Sequence, residues 1–167
     1  LTRGDGFFGE DITENVKMIN GVPLFLDGDI LDEIVVRGEV VMHKEVFKKI
    51  NEKNKKEGRP LLANTRNAAS GSVRQMDPLI VKDRQLNFYA WDLVSLKDSK
   101  KKIIFENHSD EHLFLKQIGF TLDSHGKKIE KIEDVFDYLK DIEQKRDSFP
   151  YSTDGVVIAV DNLRDRD

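Results

Sequence analysis

The feature that most constrains this chain is the alternation of short β-branched runs with helical stripes. Ile34 to Met42 and Leu86 to Leu96 carry the apolar, β-branched and aromatic residues of buried strands, and Gly155 to Val160 is a third, nearly all-apolar run. Val46, Phe47 and Ile50 mark one face of a charged, lysine-rich helix ending near Gly58. Ile132, Val135, Phe136, Leu139 and Ile142 repeat at the i, i+3, i+4, i+7 spacing of another helix. Two more helices are expected: a short one capped by Asp11, with Glu14 three residues on and Val16 and Ile19 inward, and one from a Ser109 cap to Gly119. Lys97 to Lys102 reads as a polar loop. Strands that must bury a face and helices that must bury a stripe satisfy one another in a mixed α and β architecture, with the later two helices covering a sheet.

At 167 residues the chain is sized for one domain. No stretch approaches the roughly 18 apolar residues that span a bilayer, and with 38% hydrophobic and 35% charged residues the composition is that of a soluble protein. The first residues show neither a signal-peptide plan nor a starting methionine, so the chain is expected to be a fragment. Cysteine is absent, which excludes disulfides and cysteine-held zinc, and His43, His108, His112 and His125 lack the spacing of zinc motifs; a cytoplasmic location fits. A net charge of −4 confines any nucleic-acid contact to a local patch, because phosphate binding depends on concentrated Lys and Arg.

Four segments carry chemistry-bearing residues. Arg3-Gly4-Asp5-Gly6-Phe7-Phe8-Gly9-Glu10-Asp11 sets three glycines among charges before a helix, which suits either a plain turn or close backbone approach to an anion. Arg37 and Glu39 lie two apart in a strand and so share a face, where they pair in a rim salt bridge or meet a ligand such as a sugar hydroxyl or a metal. Ala63 to Gln75 combines small residues with Arg66 and Arg74 on roughly one helical face, as a packed helix with solvated arginines or as a phosphate contact. The fourth is Ser152-Thr153-Asp154 leading into the final apolar run.

In order and separation, the strings TRGDGFFGEDIT, VVRGEVVM, ANTRNAASGSVRQMDP and TDGVVIAV resemble NAD-dependent DNA ligases from Thr2 to about Asn162. The resemblance implies an α/β (α+β) nucleotidyltransferase fold, with mostly antiparallel sheets lining a nucleotide cleft and helices outside. It implies an adenylation domain of an enzyme that seals nicks in duplex DNA, in replication and repair, through ligase-AMP and DNA-adenylate intermediates. By similarity Glu39 would hold the AMP ribose or assist a metal, and Asp154 would set the metal and nucleophile environment, with Mg2+ the expected ion. Trp91 would stack on adenine, with Val156 on the base's other side; the alternatives are an ordinary core tryptophan and a core valine. Arg66, Arg74 and Arg146 match arginines that contact phosphates, and Arg3 and Glu10 would line the same cleft. NAD is the implied AMP donor, nicked DNA the partner, and a monomer the expected state.

Two departures from the family pattern stand out. No Lys-x-Asp-Gly occurs, so the nucleophilic lysine is missing and these residues alone are not expected to self-adenylate. Ala159 stands where the family has a lysine that neutralises the phosphate. The segment that recognises the nicotinamide half, and the oligonucleotide-binding, zinc-finger and helix-hairpin-helix parts, are expected outside this chain. The competing expectations are a degenerate, non-catalytic module that still holds a nucleotide or DNA, and an RNA ligase or capping enzyme of the same general fold.

Overall fold

A computed structural model describes residues 9–26, 32–99 and 103–166, and it divides the chain into two compact units. The first comprises Leu1–Leu24, Val40–Phe88 and Pro150–Ser152; the second comprises Phe25–Glu39, Tyr89–Phe149 and Thr153–Asp167. The mixed α and β class expected from the pattern is what forms, with an antiparallel sheet.

Among its described residues the first unit is built from α1 (Thr13–Val16), α2 (Lys44–Lys56), α3 (Thr65–Val73) and α4 (Pro78–Asp83). Their core is Ile19, Met42, Ala68, Ala69, Val73, Val81 and Leu86, flanked by Val46, Phe47 and Ile50 of α2. Ala68, Ala69 and Ser72 of α3 therefore face inward, which lets the helix approach its neighbours closely. Gly58 ends α2 as expected: its φ is +65°, and the bonds Arg59 N–H to Asn54 O (2.8 Å) and Gly58 N–H to Lys55 O (3.4 Å) close a Schellman motif. The Asn51 side chain donates to Leu62 O (3.0 Å) and accepts from Leu62 N–H (2.8 Å), while Asn54 donates to Pro60 O (3.0 Å). These amides replace regular structure in fixing the loop that enters α3, whose own start is capped by Asn64 accepting from Asn67 N–H.

The second unit holds most of β1 (Glu33–Val41) and β2 (Asn87–Lys97), with α5 (His108–Gln117) and α6 (Ile132–Lys145). Glu33 meets Lys97 while Arg37 meets Trp91 and Asp92, so the strands run antiparallel. Ala90, Leu93, Leu115, Ile118, Val135, Ile142 and Phe149 are its buried apolar residues among those described. Asp161 anchors the start of α5: its carboxylate accepts from Ser109 N–H (2.8 Å) and Ser109 Oγ–H (3.1 Å), its carbonyl from His108 N–H (2.7 Å), and Lys128 pairs with it.

Several expectations need correction. Gly155 to Val160 is not a strand: Val157 is 90% and Ile158 61% exposed, and an apolar run becomes a strand only when another strand satisfies its backbone. Ser109 is not the cap of α5; Asn107 occupies that position, and Ser109 bonds Asp161 instead. Gly119, with φ +103°, does end the helix. The α6 stripe is split: Val135 and Ile142 are buried, but Ile132 and Phe136 are 65% and 63% exposed. At α1 the carboxylate of Asp11 accepts from Thr13 N–H (2.9 Å) and Thr13 Oγ–H (2.6 Å), although Ile12 holds the cap position. The Asp11 carboxyl is held below its ordinary range chiefly by that hydroxyl.

Candidate functional site

The second unit gathers polar groups around Trp91. The alternating exposure of β1 puts Glu33, Val35, Arg37 and Glu39 on one open face, as period two requires. Arg37 does not pair with Glu39. Its guanidinium lies 5.4 Å over the Trp91 ring centroid, and its Nη1 is 3.5 Å from Asp92 Oδ2. Trp91 is 43% exposed, so it is not a core tryptophan. A cation on one face of an exposed indole contributes about 0.5–1 kcal/mol.

The backbone of Trp91 is fixed as well. His112 Nε2 donates to Trp91 O at 2.8 Å, which places the proton on Nε2 because a carbonyl only accepts. The His112 ring packs on that of His108 (centroids 4.2 Å apart), and His108 Nδ1 is 3.0 Å from Glu111 Oε2. Asp92, His108 and Glu111 each direct one donor atom into a group spanning 4.8 Å or less. Sequence reasoning missed this group: His108 and Glu111 are legible as an i, i+3 pair, but Asp92 sits on another element. Among the described residues it is the one trio of potential metal ligands, and neither Glu39 nor Asp154 belongs to it.

Arg146 and Asp154 come close together in the same unit. Arg146 lies in a 3-10 turn after α6, and its Nη2 donates to Thr153 O at 3.3 Å, next to Asp154. Asp154, Val156 and Ala159 are all exposed along the segment that forms no strand.

In the first unit, Arg66 and Arg74 stand exposed at the two ends of α3, whose opposite side is buried. Asn15, a residue without any signal in the hydrophobic pattern, fixes the Arg74 end. Its buried Nδ2 donates to Val73 O (2.8 Å) and Gln75 O (2.7 Å), the carbonyls either side of Arg74. Gly71 is exposed, and a Cβ there would meet nothing within 4 Å. Glu10 is exposed, and Arg3 lies outside the described residues.

Comparison with known proteins adds the family context. The family described as NAD-dependent DNA ligase adenylation domain matches residues 1–167. A DNA ligase of Campylobacter lari is 42% identical over 163 residues, covering 98% of this chain and 24% of that protein. A DNA ligase of Caldicellulosiruptor bescii is 43% identical over 166 residues, covering 99% and 24%. One from Lactobacillus delbrueckii subsp. bulgaricus is 41% identical over 165 residues, covering 97% and 23%. The chain thus spans about a quarter of the length of the curated relatives it matches.

Proposed function

Because this chain belongs to the NAD-dependent DNA ligase adenylation-domain family, we propose that it is part of one adenylation domain serving the sealing of nicks in duplex DNA, in the cytoplasm, with NAD as AMP donor. The match over all 167 residues is the observation that carries this reading.

The family resemblance gives each candidate residue a task. Trp91 offers an exposed ring, and with Arg37 over one face, adenine stacks on the other. Val156 closes on the base from its second side. Glu39 accepts from the ribose hydroxyls or helps hold the metal, and Asp154, beside the Arg146–Thr153 contact, orients the metal and nucleophile surroundings. Magnesium, when bound, neutralises charge on the reacting phosphates. By the family resemblance Arg66, Arg74 and Arg146 present guanidinium forks to phosphate oxygens, and Glu10 and Arg3 are assigned to nucleotide contact.

Adenylyl transfer needs an amine at the α-phosphate, and no Lys-x-Asp-Gly occurs among these residues. The 167 residues by themselves therefore do not take up AMP. A second reading, a nucleotide- or DNA-holding module without catalysis, is favoured by one observation, Ala159 at a position where phosphate neutralisation calls for lysine. The test is intact mass after incubation with NAD and Mg2+, comparing this chain with one extended upstream through Lys-x-Asp-Gly. Gain of one AMP by the extended chain alone supports the proposal. Gain by the short chain refutes the nucleophile argument. If neither gains it even after Ala159→Lys, the non-catalytic reading holds.

A further inference from the structure

Asp92, His108 and Glu111 have no task in the adenylation chemistry above. We propose that these three side chains form a binding site for one divalent cation of the Zn2+ class. The donor set decides the class: one imidazole with two carboxylates suits Zn2+, Co2+ or Ni2+, whereas Mg2+ and Ca2+ take oxygen ligands. The geometry is close to what such an ion needs. Ligand atoms of a tetrahedral zinc site stand about 3.4 Å apart; here the three donors lie within 4.8 Å of one another, with His108 Nδ1 already 3.0 Å from Glu111 Oε2. A small inward movement of Asp92 completes three ligands, leaving water the fourth position.

Hydrogen bonds tie down the scaffold under the trio. Two ligands come from the first turn of α5, which Asp161 ties down through Ser109, and the third comes from β2 next to Trp91, whose carbonyl is bonded to His112. Burial adds the driving force. Glu111 is only 8% exposed, while Asp92 and His108 are half-buried, so two carboxylates converge where water is scarce. Arg37 reaches Asp92 only at 3.5 Å, and His108 is charged only when protonated. A divalent ion balances both carboxylates at once. The positive end of α5 opposes a cation there, but its partial charge is smaller than that of two carboxylates. In the ion-free chain His108 Nδ1–H donates to Glu111 Oε2, so binding requires that proton to leave Nδ1 and the neutral ring to keep its proton on Nε2, which frees the Nδ1 lone pair for the ion.

The test is calorimetric titration of the chain with ZnCl2 and, separately, MgCl2 in chelator-free buffer. One Zn2+ per chain is expected, at least about tenfold tighter than Mg2+, with Glu111→Gln and His108→Gln each weakening it about tenfold or more. His125→Gln, which removes the exposed His125–Asp123 pair, should bind Zn2+ as the parent does. Circular dichroism in EDTA verifies that each variant folds; if Glu111→Gln does not, Asp92→Asn carries the comparison. Absence of Zn2+ binding, Mg2+ binding of equal strength, unchanged affinity in the ligand variants, or loss in His125→Gln would each overturn the proposal.

Discussion

Replacing Asn15 with alanine should cost more stability than any surface change of similar size. The Asn15 amide has two hydrogens on Nδ2, and each goes to a separate carbonyl, Val73 O at 2.8 Å and Gln75 O at 2.7 Å. Alanine removes both bonds. Each contributes a net of about 0.5–1.5 kcal/mol, and a carbonyl stranded away from water costs about 1–3 kcal/mol, so the loss should fall near 2–4 kcal/mol. With an m-value of about 2 kcal/mol/M in urea, the unfolding midpoint should drop by about 1–2 M at unchanged slope. Asn15→Asp keeps the shape but turns a carboxylate toward two carbonyl oxygens. It should be at least as damaging at neutral pH and partly relieved in acid, where a protonated carboxyl donates again. An Asn15→Ala loss below about 0.5 kcal/mol, the range of ordinary surface substitutions, would refute this account of how the Arg74 end of α3 is held.

Further predictions follow from local geometry. Gly71→Ala should stabilise by about 0.5–1 kcal/mol, since the site is helical and open, whereas Gly58→Ala should destabilise by about 1 kcal/mol because φ is +65°; thermal melts of the pair should move in opposite directions. The Asp161 carboxyl is held below its ordinary value, first by the Lys128 hydrogen bond and then by Ser109. Its contribution is therefore present above about pH 4 and lost as pH falls through the lower folded value. Acid titration of wild type against Asp161→Asn should show the two stabilities converging below that point; a constant difference would contradict the assignment. Val157→Lys should change stability by less than about 0.5 kcal/mol and lower binding of an apolar dye, since the side chain is already exposed. A large loss would mean that the segment is buried after all.

What the sequence revealed was whatever repeats with a period or stops at a marked residue. The α2 face, the glycine ends of α2 and α5, and the span of β1 were legible because burial and left-handed φ leave local traces. The α6 stripe was only half right, since periodicity locates a face without saying how much of it another element covers; Ile132 and Phe136 show the remainder. Composition alone suggested a strand at Gly155 to Val160, but pairing is a property of two segments and cannot be read from one. The same limit hid Asn15, Asn51 and Asn54, whose partners lie elsewhere along the chain; α4 was not among the expected helices, although Asp77 before Pro78 marks its start locally. Glu39, Arg66 and Arg74 were singled out by strand and helix spacing, but the roles expected of them, and Trp91 altogether, came from the family strings.

Neither compact unit is an unbroken stretch of chain, and this bears on synthesis. The first unit takes its last three residues, Pro150–Ser152, from near the end of the sequence, and they are not ornamental: Pro150 O accepts from Lys44 N–H at 2.7 Å, and Ser152 Oγ lies 3.2 Å from Thr65 Oγ1. The second unit, conversely, needs Phe25–Glu39 from near the start. During synthesis neither unit is therefore complete until residues 150–152 and those that follow have emerged, and both must close long loops late. Cutting the chain in two at any point between residues 40 and 149 would leave each fragment without part of both units.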